Sequence, residues 1–275
     1  MAFSVNTNAG AFAALQNLNK TTSSLNTVQT QINTGLKVAS SKDNAATFAI
    51  AQKLRGDVAG LNAVKSSLDR ATSTIDVALA AGEAVSDLLI ELKEKAVAAK
   101  DSGLDTASRT ALNNDFGQLR DQITSIVSNA EFNGTNVVSN GGSAITAITN
   151  DDGSNTITVA AQDLSLTGSN VSITTTTEIS TSGAASAAVA NIESSIANVN
   201  TALSALGSGA NRIELQSSFV NKLSDSIEVG IGNLVDADLA KTSAQLQSLQ
   251  VKQQLGLQAL SIANQAPGTV LSLFR

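Results

Sequence analysis

The sequence has no histidine, no cysteine, no tryptophan and no tyrosine in 275 residues. Without His or Cys there is no thiol nucleophile, no Ser-His-Asp triad and no zinc site of the usual nitrogen and sulfur kind. Only Ser, Thr, Lys, Asp and Glu remain as chemistry-bearing side chains, so no catalytic residue, metal or cofactor is expected. Aromatic residues make up 3% of the chain, which leaves Ala, Val, Leu and Ile to fill most buried contacts. Small aliphatic side chains suit thin helical bundles better than a thick core.

Proline occurs once, at Pro267. Because proline removes a backbone donor and clashes inside a helix, its absence before that point permits unusually long helices. A net charge of −6 argues against a nucleic-acid backbone or an anionic lipid surface as partner. Met1 to Gly10 carries neither a basic n-region nor an apolar h-region, which predicts no ordinary secretory signal. No run of apolar residues suggests a membrane span. Zero cysteine is compatible with the cytosol, and equally with a secreted protein that travels as an unlinked chain.

The hydrophobic periodicity is a sustained heptad. A first seam runs Ala11, Leu15, Leu18, Thr22, Leu25, Gln29, Ile32 and Leu36, with Asn, Gln, Ser and Thr on the other faces. A second runs without a slip from Leu61 through Val64, Leu68, Ala71, Ile75, Ala78, Gly82, Val85, Leu89 and Leu92 to Ala96. A helix from near Ala45 to before Gly103 is about 55 residues, on the order of 80 Å, a length rare in compact enzymes. A third seam uses Leu112, Phe116, Leu119, Ile123, Ile126 and Ala130, with Asp105 as its N-cap.

The texture changes after Asn129. Asn133-Gly134 and Asn140-Gly141-Gly142 are turn signals, while Thr156 to Val159 and Ser169 to Ile179 read as short strands or hairpins. Helical period returns from Val189 to about Ile227, Gly230-Ile231-Gly232-Asn233 reads as an interruption, and a last seam runs from Leu239 through Leu246, Leu249 and Leu260 to Ala263. The expected fold is mainly α, a long antiparallel coiled coil or helical bundle with a small hairpin-rich β insertion. Its parts are an inner terminal-helix domain (1–34 and 236–275), connectors (35–44 and 229–235), an outer helical bundle (45–130 and 184–228) and a β-rich surface insertion (131–183).

This order of motifs resembles bacterial flagellin. Val5-Asn6-Thr7-Asn8 is similar to the family's opening, and the stretch from Ile32-Asn33-Thr34-Gly35-Leu36-Lys37 to Lys42-Asp43-Asn44-Ala45-Ala46 to its signature connector. Phe132-Asn133-Gly134 resembles the close of the N-terminal half, and Leu206-Gly207-Ser208-Gly209-Ala210-Asn211-Arg212 a C-terminal helix motif. Val235-Asp236-Ala237-Asp238-Leu239-Ala240, Ala263-Asn264-Gln265-Ala266-Pro267 and Val270 to Phe274 resemble the C-terminal signature. The insertion from about 135 to 183 has no counterpart, and the chain is a short form without large outer domains.

The resemblance implies a structural subunit, exported unfolded, that self-assembles into an extracellular filament for swimming motility. Its implied partners are identical or sister flagellins, the flagellar export apparatus with an export chaperone, and junction and cap proteins; no nucleic acid and no membrane insertion enter. The alternative is a hook-filament junction protein with similar terminal helices. An enzyme displayed on a filament is the weakest reading, because a His-Glu-x-x-His insertion is impossible in a chain without histidine. The resemblance also implies weak stimulation of the animal innate receptor that reads an arginine-rich stretch in many members, since Ile90 and Glu91 stand in that stretch here.

Filament-core packing is expected at Leu15, Leu18, Leu25, Ile32, Leu36, Leu246, Leu249 and Leu260. One isolated two-helix hairpin buries too little to offset its ordering entropy, so these seams need neighbours. Lys42, Asp43, Arg212, Asp236 and Asp238 are expected at connector and inter-subunit contacts, the three acids capping helices or pairing between subunits rather than holding a metal. The run Thr174, Thr175, Thr176 and Thr177 reads as an exposed strand or an O-glycosylation site, while three N-glycan sequons at Asn19, Asn133 and Asn170 are discounted in a bacterial protein.

Overall fold

The computed structural model describes the backbone of residues 7–271 and the side chains of residues 7–265. The described helices are α1 (Ala9–Thr34), α2 (Ala45–Ala99), α3 (Thr106–Asn129), α4 (Ser182–Val235) and α5 (Leu239–Leu271). Between α3 and α4 lie the strand pairs β1 (Glu131–Phe132) with β2 (Thr135–Asn136), and β3 (Ile145–Ile148) with β4 (Thr156–Val159), both antiparallel. The fold is mainly α, as the periodicity predicts. Contacts divide the chain into two compact units, Met1–Gly56 with Ser226–Arg275, and Asp57–Asp225.

In the second unit every seam position from Leu61 to Ala96 is buried, because the heptad keeps those small and medium side chains on one stripe of α2. α4 runs antiparallel to α2 and meets it at very short range. A Cβ on Gly82 would stand 2.6 Å from Leu203 Cδ2, so any larger residue here would have to move that leucine. Phe116, Ile123 and Val127 of α3 complete the core. The Asp105 carboxylate accepts from the Ser108 N–H at 2.7 Å and caps α3, while Arg109 reaches back to the carbonyls of Ala99 and Asp101, satisfying acceptors at the end of α2.

The insertion folds onto these helices. Asn133 (φ 49°) and Gly134 (φ 79°) make the tight turn between β1 and β2, as the Asn-Gly pair predicts. The segment from Ser169 to Ile179, expected as short strands or a hairpin, contains no strand. Val171, Ile173 and Ile179 are buried, so the alternation of side chains is real. However, two of its backbone donors find helix side chains instead of a neighbouring strand. Ser172 N–H donates to Ser195 Oγ at 2.9 Å and Ile179 N–H to Asn113 Oδ1 at 2.7 Å.

A second expectation fails at Gly230-Ile231-Gly232-Asn233, where α4 continues unbroken to Val235. Two helical glycines cost roughly 1 kcal/mol each relative to alanine. Continuing the helix places Ile231, Leu234 and Val235 in an apolar cluster with Val38 and Ala51, which offsets that cost. The chain turns instead at Asp236 to Asp238.

Candidate assembly interface

The first unit is built on a hairpin of α1 against α5. The helices are antiparallel, since Asn8 Nδ2 donates to the Ala263 carbonyl at 2.6 Å, Leu18 lies over Gly256, and Leu25 and Val28 pack with Leu249. Gly256 makes room for Leu18, whose Cδ1 would be 3.2 Å from an added Cβ. Ile32 and Leu246 pack against the buried trio. Of the predicted packing residues, Leu25 and Leu249 are buried and Ile32 and Leu246 join them. Leu18 and Leu260 are half-buried, and Leu15 is 43% exposed. Leu36 leaves the seam and packs with Val38 and Val235.

The sequence reading missed Val28, which is 4% exposed where the strict heptad offered Gln29. Leu25, Val28 and Ile32 step by three and four, a heptad in the register next to that of Leu25, Gln29 and Ile32, so the signal is present in the sequence. It also missed the opposite faces of the hairpin. Phe12 on α1 is 64% exposed, and Val251, Leu255 and Ile262 on α5 are 54%, 57% and 70% exposed. Those three α5 positions share one face, turned away from Leu246, Leu249 and Leu260. A helix apolar on two opposite faces fits an environment that covers both.

The connector joins the hairpin to its neighbours in sequence. Leu36 and Asp236 form an antiparallel bridge, with Lys37 N–H donating to the Val235 carbonyl at 2.6 Å and Ala237 N–H to the Gly35 carbonyl at 2.8 Å. Gly35 ends α1 at φ 71°, a left-handed position that glycine fills without strain. Asp238 caps α5 through Lys241 N–H at 3.0 Å. Asp43 caps no helix; it closes the preceding turn, accepting from Ala39 and Ser40 N–H at 3.1 and 2.9 Å, and Asn44 caps α2 through Thr47 N–H. Lys42 and Asp236 are exposed. An open groove of about 510 Å³ beside the Asp236 to Asp238 turn is lined by Val28, Gln31, Lys37, Asp238, Lys241 and Gln245 among others.

Arg212 belongs to the second unit, on the exposed side of α4. Thr174 to Thr177 form a compact turn rather than a strand: Thr174 N–H donates to Thr177 Oγ1 at 2.9 Å and Thr177 N–H returns to the Thr174 carbonyl at 3.1 Å. Thr174, Thr175 and Thr176 are exposed and Thr177 is half-buried. Among the described residues no group of three acids gathers as a metal site, and no helix is long and apolar enough to cross a membrane.

The model of the bacterial flagellin N-terminal helical region matches residues 5–142, and that of the C-terminal helical region matches residues 189–274. The chain belongs to the bacterial flagellin family. It is 52% identical over 272 residues to flagellin FljK of Caulobacter vibrioides, covering 99% of this chain and 98% of that one. It is 34% identical over 281 residues to a flagellin of Brucella melitensis, covering 99% of each. In fold it is similar to the crystal structure of Bacillus cereus flagellin (TM-score 0.50, 22% identity, 56% of this chain and 88% of that one). It is also similar to a putative flagellar hook-associated protein from Vibrio parahaemolyticus (TM-score 0.59, 13% identity, 70% and 100%). At those identities only the fold is shared, so it is the family matches that separate a flagellin from a junction protein. The residues between the two matched regions, 143–188, take in the β3/β4 hairpin and the irregular segment after it. Val5, Asn6 and the closing Ser272-Leu273-Phe274 of the flagellin-like motifs lie outside the described residues.

Proposed function

We propose that this flagellin, a structural subunit of the extracellular flagellar filament, polymerises through its α1/α5 hairpin, whose second apolar faces are covered by the same helices of neighbouring subunits. The observation that carries this is the double-faced α5. Leu249 faces α1 while Val251, Leu255 and Ile262 stand more than half exposed on the other side. Three buried residues, Leu25, Val28 and Leu249, are a small core for helices of 26 and 33 residues. Such a hairpin gains most of its order from what it packs against.

Leu15, Leu18, Leu36 and Leu260 then complete their burial in the polymer, and Lys42, Asp43, Asp236, Asp238 and Arg212 lie at contacts between connectors or subunits. The subunit is exported unfolded through the flagellar export apparatus with a chaperone, and the finished filament meets junction and cap proteins at its ends. Hydroxyls of Thr174, Thr175 and Thr176 are reachable for O-glycosylation on the outer surface.

Seeded elongation tests the reading. Purified chain added to short filament fragments should extend them into long filaments, and the chain lacking residues 240–275 should not. Extension by the truncated chain at the full-length rate would remove the hairpin from the assembly mechanism.

A further inference from the structure

Two exposed stripes on the second unit complement one another in charge and in the spacing of their charged residues, and neither is covered within the subunit. On α2, Glu83, Asp87, Ile90, Glu94 and Val97 recur at steps of four and three, so all five share one face, and all five are exposed. Ile90 and Val97 are 55% and 50% exposed, which makes this an acidic stripe with two apolar residues in it. On α4, Arg212, Leu215, Phe219 and Lys222 recur at steps of three, four and three, and all four are exposed. Leu215 and Phe219 are 72% and 56% exposed between two cations. The acids of that part of α4, Glu214 and Asp225, fall on its other faces.

The stripes are out of reach of each other within one subunit. α4 runs antiparallel to α2 with Lys93 paired to Glu193 at 2.9 Å and Leu203 over Gly82. In that register Leu215 to Phe219 are level with a point on α2 about 20 residues before Ile90, roughly 30 Å away along the helix. Each stripe therefore needs a second molecule.

We infer that the basic-apolar stripe of α4 docks on the acidic-apolar stripe of α2 of a second copy of this chain, antiparallel, with Arg212 opposite Glu94, Lys222 opposite Glu83, and Ile90 seated between Leu215 and Phe219. This inference rests on the self-assembly reading and names the surfaces and the register of one contact. The spacing fits: Arg212 and Lys222 are ten residues apart, and Glu94 and Glu83 eleven. The sense fits as well. α2 and α4 are antiparallel inside a subunit, so an antiparallel α2 to α4 contact between subunits keeps the two molecules pointing the same way. The contact is heterologous, so each copy offers both stripes and the interface propagates into an open array instead of closing a dimer. The register shift sets a stagger of roughly 30 Å between the two copies. The charges fix partner choice and register, and the apolar residues supply the buried area.

Charge exchange tests this. Purified full-length Glu83→Lys/Glu94→Arg and Arg212→Glu/Lys222→Glu chains are compared with the unaltered chain for elongation from seeds of the same altered sequence and from unaltered seeds, with helical content checked by circular dichroism. Each one-sided variant should elongate its own seeds roughly tenfold or more slowly, and a chain carrying all four substitutions should recover to within about twofold of the unaltered rate on its own seeds. One-sided variants that elongate at the unaltered rate, or a four-substitution chain as slow as its parents, overturn the pairing.

The absence of cysteine supplies a second readout that tolerates slow assembly. A chain with Ile90→Cys and Phe219→Cys, assembled with at most a minor fraction of unaltered chain and mildly oxidised in the filament, should give disulfide-linked oligomers that neither single variant forms beyond dimers. Incorporation without such oligomers contradicts the contact. If the unaltered chain does not elongate from seeds at all, the assembly reading itself fails, and this inference falls with it.

Discussion

The N–H of Ser172 donates to the hydroxyl of Ser195 at 2.9 Å, and that hydroxyl in turn donates to the Asn191 carbonyl at 2.7 Å. Ser195 is fully buried, so one helix side chain replaces the strand partner that the Val171–Ile173 segment lacks. Ser195→Ala leaves the Ser172 donor without its acceptor at this part-buried position, which costs roughly 1 kcal/mol. Urea unfolding of the two chains should show that loss as a lower midpoint with an unchanged slope.

Glycines on two helices should respond in opposite directions to the same substitution. A Cβ at Gly60 would stand 2.6 Å from the Asp151 carbonyl oxygen, which is backbone and cannot swing aside, whereas nothing lies within 4 Å of a Cβ at Gly117. Gly60→Ala should destabilise the second unit by about 1–3 kcal/mol through displacement of the β3/β4 turn. Gly117→Ala should stabilise it by roughly 1 kcal/mol through helix propensity alone. Thermal melts of both variants measure the sign directly.

Acid should weaken the second unit. Asp105 is held below its ordinary value of 3.8 chiefly by the Ser108 N–H and then its hydroxyl, and Asp152 likewise by the Ser154 N–H and hydroxyl. Glu193 is held below 4.5 by the hydrogen bond and charge of Lys93. Each depressed carboxylate contributes stability that is present above its unfolded value and lost as pH falls through its folded value. The melting temperature should therefore be flat near neutrality and fall below about pH 4. Asp105→Asn keeps an oxygen for the cap but removes the titration, so its melting temperature should fall less steeply over that range than that of the unaltered chain.

Leu89 and Leu92 are buried, while Ile90 is 55% exposed and Glu91 is exposed beside it. A receptor approaching this stretch of α2 meets an apolar side chain and an acid where many flagellins offer arginine. Purified monomer should activate the animal innate receptor weakly or not at all in a reporter-cell assay, and strong signalling would remove the argument from charge.

The helices of the second unit were readable because a heptad of buried small residues leaves an unbroken trace. Leu61 to Ala96 are buried at every predicted step. Asp105, Asn133 and Gly134 were also legible, since capping and a tight turn are local requirements. Three features were not. Helix continuation through Gly230 and Gly232 depends on Val38 and Ala51 waiting at the far end of the chain, a contact that no local window contains. The irregular backbone of Ser169 to Ile179 depends on acceptors from Asn113 and Ser195, and a strand pattern does not reveal who satisfies its donors. On the α1/α5 hairpin, Leu25 and Leu249 follow from the seam, but Val28 and the opposite ridge of Val251, Leu255 and Ile262 lie on other heptad registers of the same helices.

The central claim is that neighbours, rather than the subunit alone, order the α1/α5 hairpin. Amide hydrogen exchange at Leu18 and Leu249, compared between dilute monomer and assembled filament, tests it most directly. Fast exchange at both positions in the monomer, slow exchange in the filament, and slow exchange at Ile75 and Leu206 in both states is the predicted result. Full protection of Leu18 and Leu249 in dilute monomer would contradict it.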